Sequence, residues 1–252
     1  MRTLLLLLVL LAACARPSLP AAPTTSAAPA PAAPVQVTEL ALQDAARERS
    51  VPVALYVAPG PGRPRLALLS HGYGGRNTDY TFLAHALAAR GYWVASVQHQ
   101  LPGDAPLPKT GNPREVRRPS WLRGVADLHF VLQELQRRHP DLDTGHLLLV
   151  GASHGGDTAA LFVEQHPGTV ERLITLDNRR FPLPRTRPPH VLTLRSSDQP
   201  ADVGVLPDAQ EQQRLGMRVV ALPATRHDDM WDGATAAQKQ EMLRHVSAFL
   251  EL

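Results

Sequence analysis

One serine in this 252-residue chain stands in a setting suited to nucleophilic chemistry. It is Ser153, in the run Leu147-Leu148-Leu149-Val150-Gly151-Ala152-Ser153-His154-Gly155-Gly156. An aliphatic stretch of strand length stops at Gly-Ala-Ser-His-Gly, and residues 157–165 read as a helix directly after it. A turn that sharp holds the serine in a strained backbone conformation, and side chains at Gly151 or Gly155 would meet the neighbouring strand and helix. The hydroxyl is then presented at the C-terminal edge of a sheet. It lies beside a helix N-terminus, which favours developing negative charge.

A serine hydroxyl is a weak nucleophile unless a base takes its proton, a carboxylate orients that base, and donors receive the charge that forms. Four of the eleven histidines, His71, His99, His154 and His227, fall at the ends of strand-like runs. His71 is better placed to shape a loop, and His154 is fixed by its position in the turn. His227 lies on the loop after the last strand and is the candidate base. Asp198 and Asp177 follow two successive strands and are the candidate acids, with Asp202 close behind Asp198. The candidate donors are the backbone N–H groups of His154 and of Tyr73, the latter in His71-Gly72-Tyr73-Gly74-Gly75. Each such donor typically contributes about 3 kcal/mol to a transition state.

The elements that must position these groups alternate. Residues 37–41 and 51–57 read as two antiparallel edge strands, and residues 65–70 as the first buried strand. Thr78 or Asp79 is placed to cap a helix running to Arg90, with Phe82, Leu83, Ala86 and Leu87 on one face. Residues 92–97 form the next strand, parallel to the first buried one. Residues 98–120 are rich in proline, glycine and charge and lack periodicity, which predicts a short substrate-facing loop over an open pocket. Residues 121–138 form an amphipathic helix. Strands follow at 170–176, 190–194 and 217–222, with a proline-rich loop at 181–189 and a closing helix at 236–250. This alternation predicts an α/β fold, a doubly wound and mostly parallel sheet with helices on both faces.

The N-terminus reads differently. Residues 1–13 combine Arg2 with an apolar run too short to span a bilayer, as a signal peptide does. Leu11-Ala12-Ala13-Cys14 resembles the lipobox of bacterial lipoproteins, in which the cysteine is lipidated. Cys14 is the chain's sole cysteine, so no internal disulfide forms. Residues 14–34 are almost entirely Ala, Pro, Ser and Thr and read as a disordered tether, leaving residues 35–252 as one folded domain. The expected location is the bacterial cell envelope, with the protein anchored to a membrane through its lipidated N-terminus. The net charge of +3 is mild, and no basic block with interleaved aromatics suggests nucleic acid.

The strand, Gly-x-Ser-x-Gly and helix order resembles the nucleophile elbow of the α/β-hydrolase fold. The fold's chain order of serine, acid and histidine selects His227. Asp198, after the penultimate strand, is the favoured acid, and Asp177 is the runner-up. The segments 44–53, 70–75 and 151–156, in that order, resemble the dienelactone-hydrolase-like esterases. Within these they are most similar to the platelet-activating-factor acetylhydrolase and cutinase-like polyester hydrolase branches. The resemblance covers about residues 37–250. It implies an ester hydrolase with no metal and no cofactor. The leading reading is a serine hydrolase that cleaves carboxylic esters through an acyl-enzyme, and the expected partner of the monomeric chain is a small-molecule ester. Leu176-Asp177 resembles the acid loop of the first branch and Ser197-Asp198 that of the second. The dienelactone hydrolases proper carry cysteine where this chain has Ser153, so their lactone specificity does not transfer. Two other readings stand beside it: a peptidase of the same fold and a non-catalytic binding lipoprotein.

Overall fold

The computed structural model describes residues 34–60 and 62–251. The expected signal peptide, Cys14 and all of the expected tether but Pro34 lie outside the described residues. Among the described residues eight strands form one sheet: β1 (Gln36–Asp44), β2 (Arg49–Val57), β3 (Arg65–Ser70), β4 (Tyr92–Val97), β5 (Asp143–Ala152), β6 (Val170–Leu176), β7 (His190–Arg195) and β8 (Arg218–Ala221). Their order is β1-β2-β4-β3-β5-β6-β7-β8. β1 and β2 run antiparallel to each other, β2 runs antiparallel to β4, and all later pairs are parallel. Only β1 is an edge strand at that end. β2, expected at the edge, lies inside the sheet, in keeping with its almost continuous apolar sequence.

Among the described residues six α-helices accompany the sheet: α1 (Thr81–Ala88), α2 (Pro113–Val116), α3 (Arg118–Arg138), α4 (His154–Gln165), α5 (Ala209–Leu215) and α6 (Ala236–Leu250). Trp121 and Leu128 of α3 join Phe162 of α4 in the core on one face. Leu83 and Leu87 of α1 join Met242 and Phe249 of α6 on the other. The central strand segment Leu147–Val150 is buried from both sides, which explains its unbroken aliphatic run.

Three further elements depart from expectation. Neither Thr78 nor Asp79 caps α1. The carboxylate of Asp232, about 150 residues away, accepts from the N–H groups of Thr81 (2.8 Å) and Phe82 (3.0 Å) and from the Thr81 hydroxyl (2.7 Å). The stretch 98–120 is not wholly irregular, because Asn112 caps the short α2 and α3 begins at Arg118. Helix α5 was unforeseen, although its sequence carries a capping box: Asp208 accepts from the Glu211 N–H, and Glu211 accepts from that of Asp208.

Candidate active site

The turn between β5 and α4 is as tight as its glycines predict. Ser153 has φ 48 and ψ −114, a region that costs a non-glycine residue strain. A Cβ on Gly151 would lie 2.3 Å from the Gly155 carbonyl oxygen. One on Gly155 would lie 2.5 Å from the carbonyl oxygens of Ser70 and His71. No side chain fits at either position, so α4 can approach β3 and β5 closely enough to aim Ser153 over the sheet edge.

His227 opens a 3-10 turn (His227–Asp229) after β8. Its Nε2 lies 3.0 Å from the Ser153 Oγ. Its Nδ1 lies 2.6 Å from Oδ2 of Asp177. Asp177 also has positive φ (55), which turns its side chain out of the β6 direction and towards the imidazole. The carboxylate is fully engaged. Oδ2 also accepts from the Ser196 hydroxyl (2.7 Å), Oδ1 accepts from the Ser196 N–H (3.0 Å), and the Arg195 guanidinium is 2.9 Å from Oδ1. Burial raises the Asp177 carboxyl, but His227, Arg195 and Ser196 outweigh it and hold it below the usual carboxylate value. It is therefore an ionised acceptor facing His227.

Asp198, the favoured acid, does not face the ring. Its Oδ1 accepts from the backbone N–H of His227 (2.8 Å), and its Oδ2 pairs with Arg226 (3.2 Å). It lies three residues beyond the end of β7, too far along the loop to reach Nδ1 while it holds the main chain. Asp202 pairs with Arg180 instead.

The remaining predicted residues shape the cleft. His154 begins α4, and its side chain is neutral: burial, then nearby His99 and Arg117, push it down to about 3. Its Nδ1 accepts from the Trp121 indole N–H (3.1 Å), which leaves Nε2 to donate to the Ser120 hydroxyl (3.1 Å). In the Gly72–Gly75 loop, the Gly72 N–H points to the Tyr80 hydroxyl, Gly74 to the Gln100 side chain and Gly75 to the Gly72 carbonyl. Among the described residues the N–H groups of Tyr73 and His154 carry no such partner. His71 ties this loop down: its Nδ1 donates to the Gly72 carbonyl (2.7 Å) and its Nε2 accepts from the His99 N–H (3.1 Å). Burial lowers His71 to about 4, so it too is neutral. His99 is buried between Ser70 and Asp127, away from the cleft.

Several contributors escaped sequence reasoning. Arg195 and Ser196 complete the shell of Asp177. Asp157, fully buried in the first turn of α4, accepts from the N–H groups of Arg179, Arg180 and Phe181 (2.9–3.2 Å) and so fixes the loop that follows Asp177. Burial raises its carboxyl to about 6 despite those donors. From sequence, Asp157 looks like any acid complementing a helix dipole. The Tyr80 hydroxyl, raised by burial to about 12, stays protonated at the cleft floor. The cleft measures about 800 Å³, and residues 106–109 and Arg117 form part of its wall. The stretch 98–120 thus contributes to the site as expected.

Strand order, the serine turn after β5 and the histidine after β8 define an α/β-hydrolase fold. The comparisons with known proteins agree. The profile of the family described as "Serine aminopeptidase, S33" (Hydrolase_4) matches residues 63–176. The chain is 31% identical over 136 residues to the sn-1-specific diacylglycerol lipase ABHD11 of Mus musculus, a stretch covering 54% of this chain and 39% of that protein. The chain thus spans about two fifths of the length of that curated relative. Among solved structures, a ferulic acid esterase from Streptomyces cinnamoneus superposes with a TM-score of 0.66 at 23% identity, covering 88% of this chain and 91% of that one. A dienelactone hydrolase-like promiscuous phosphotriesterase, P91, from metagenomic libraries gives 0.63 at 14% identity, covering 86% and 98%.

Proposed function

We propose that the chain is a serine hydrolase that cleaves carboxylic esters through an acyl-enzyme. The observation that carries the reading is the continuous line from Ser153 Oγ through His227 to Asp177, with contacts of 3.0 and 2.6 Å. His227 takes the hydroxyl proton as Oγ bonds to the ester carbonyl carbon, and Asp177 stabilises the imidazolium that forms. The N–H groups of Tyr73 and His154 receive the charge on the carbonyl oxygen. Collapse of the tetrahedral intermediate breaks the bond to the alcohol oxygen, which leaves with the proton from His227. Water then enters by the same route and releases the acid. Asp198 serves by holding the His227 backbone.

The names of the mouse lipase and the Streptomyces esterase support ester chemistry, as does the motif resemblance to dienelactone-hydrolase-like esterases. Pairing of His227 with Asp177 fits the acetylhydrolase-like arrangement within that group. The family profile's description as a serine aminopeptidase makes peptide hydrolysis the second reading. Labelling with a fluorophosphonate probe, followed by p-nitrophenyl esters of graded length and aminoacyl p-nitroanilides, separates the two. Ser153→Ala should abolish labelling and ester turnover while the protein stays folded; a variant that still labels sinks the assignment. The lipid anchor at Cys14 and a cell-envelope location complete the reading and rest on the Leu-Ala-Ala-Cys sequence alone.

A further inference from the structure

Most arginines at the ends of β6, β7 and β8 and on the loops that follow are spoken for. Arg180 pairs with Asp202, Arg185 with Glu211, Arg195 with Asp177 and Arg226 with Asp198. Arg117 and Arg179 are the exceptions. Both line the cleft together with Ser153 and His154, and they come from different elements. Arg117 sits between α2 and α3, and Arg179 follows β6. Among the described residues neither guanidinium makes an ion pair or a hydrogen bond, and the Nε of Arg117 is buried with no partner at all. Burial first, then the neighbouring Arg180, holds Arg179 below the ordinary guanidinium value; Asp177 and Asp157 oppose this, and Arg117 adds a smaller push downward.

The carboxylates nearby are engaged elsewhere. Asp177 is saturated by His227, Ser196 and Arg195, and Asp157 is spent on three backbone N–H groups. Asp79, on the Gly75 side of the cleft, accepts from the Arg76 N–H (2.8 Å), and Asp228 is exposed beside His227. Asp177 and Asp157 act on these cations only through space, and a partly buried guanidinium with no hydrogen-bonding or ion-pair partner costs stability. Such an arrangement is typical of a binding site whose missing partner is the ligand. Planar guanidinium forks match the paired oxygens of carboxylate and phosphate.

We propose that Arg117 and Arg179 form an anion subsite, so that the preferred substrates are esters bearing a second, negatively charged group, a carboxylate or a phosphate. The proposal rests on the serine hydrolase reading and deepens it. The free ammonium of an aminopeptidase substrate would be repelled at the same place.

The test compares two p-nitrophenyl esters of equal acyl length, the neutral valerate and the anionic hemiglutarate. Wild-type protein should favour the hemiglutarate in kcat/KM by tenfold or more. Arg117→Met and Arg179→Met should each cut that ratio about tenfold, through KM, with the lysine variants retaining part of it. Each methionine variant should also melt no lower than wild type, because an unpaired charge has been removed. In parallel, calorimetry on Ser153→Ala protein measures glutarate and inorganic phosphate, each of which should bind more weakly in the arginine variants if it is the group recognised. Binding of glutarate alone assigns a carboxylate, and binding of phosphate alone assigns a phosphate ester. A wild-type ratio at or below one with neither anion bound overturns the proposal. So does a fall in Tm with equal losses on both esters, which would make the arginines structural. Failure of both esters together with an unlabelled Ser153 sinks the hydrolase reading instead, and the calorimetry then still decides the subsite.

Discussion

Asp177 Oδ2 lies 2.6 Å from the Nδ1 of His227, and two separate elements converge to make that contact. The carboxylate comes directly off β6 and the ring from the turn after β8. Asp198 meets the same histidine only at its main chain. The two aspartates therefore have separable roles, one on the ring's tautomer and one on the loop's position.

Asp177→Asn should lower kcat by several orders of magnitude, on the order of the ten-thousandfold typical when the histidine is held in the wrong tautomer. Asp198→Asn should cost far less, because the asparagine carbonyl can still accept from the His227 N–H. Steady-state kinetics on a p-nitrophenyl ester checks the pair. The reverse ranking would return the orienting role to Asp198.

Stability should fall in mild acid. His71 and His154, held at about 4 and about 3, lie below the ordinary histidine value near 6.5. The unfolded chain therefore binds protons at these sites that the folded chain refuses, and stability is lost as pH drops below about 6.5. Asp157 works the other way. Its folded value of about 6 lies above that of an unfolded aspartate, so protonation relieves a cost between about 6 and 4. Asp177, held low, contributes stability at neutral pH that is lost only as pH falls through its folded value. Taken by themselves, two histidines against one aspartate contribute a slope of about one proton between pH 6 and 4, with stability falling as pH falls. His154→Gln should flatten that slope by about one proton in urea unfolding across pH 4–7; an unchanged slope would show that His154 does not titrate as buried.

The cap on α1 offers a purely structural test. Asp232→Ala leaves the Thr81 and Phe82 N–H groups without their acceptor and should cost about 1 kcal/mol, or roughly 2–4 °C in Tm. Asp79→Ala, at the position the sequence suggested for the cap, leaves those N–H groups partnered. Equal Tm losses for the two would argue against the long-range cap.

Cys14→Ser should release the protein from membranes into the soluble fraction if the cysteine carries the anchor. A chain beginning at Val35 should keep its ester turnover. Loss of turnover on that truncation would mean that residues before 35 belong to the catalytic unit.

The serine turn and the order of elements were legible because their causes are local. Gly151 and Gly155 sit within two residues of Ser153, and the aliphatic runs of β3, β5, β6 and β7 announce buried parallel strands without reference to anything distant. His227 could be placed because it directly follows the last strand. The choice between Asp177 and Asp198 was not local. Both are aspartates after successive strands, and what separates them is a positive φ at one and the reach of a loop at the other. The same holds for Asp232, whose partners lie about 150 residues back, and for Arg117 and Arg179, which look like surface charges until folding places them against one cleft. Chain sequence sets which backbone turns are sterically open. Which charged groups end within 3 Å of each other depends on how distant loops close over the sheet, and only the tertiary structure decides that.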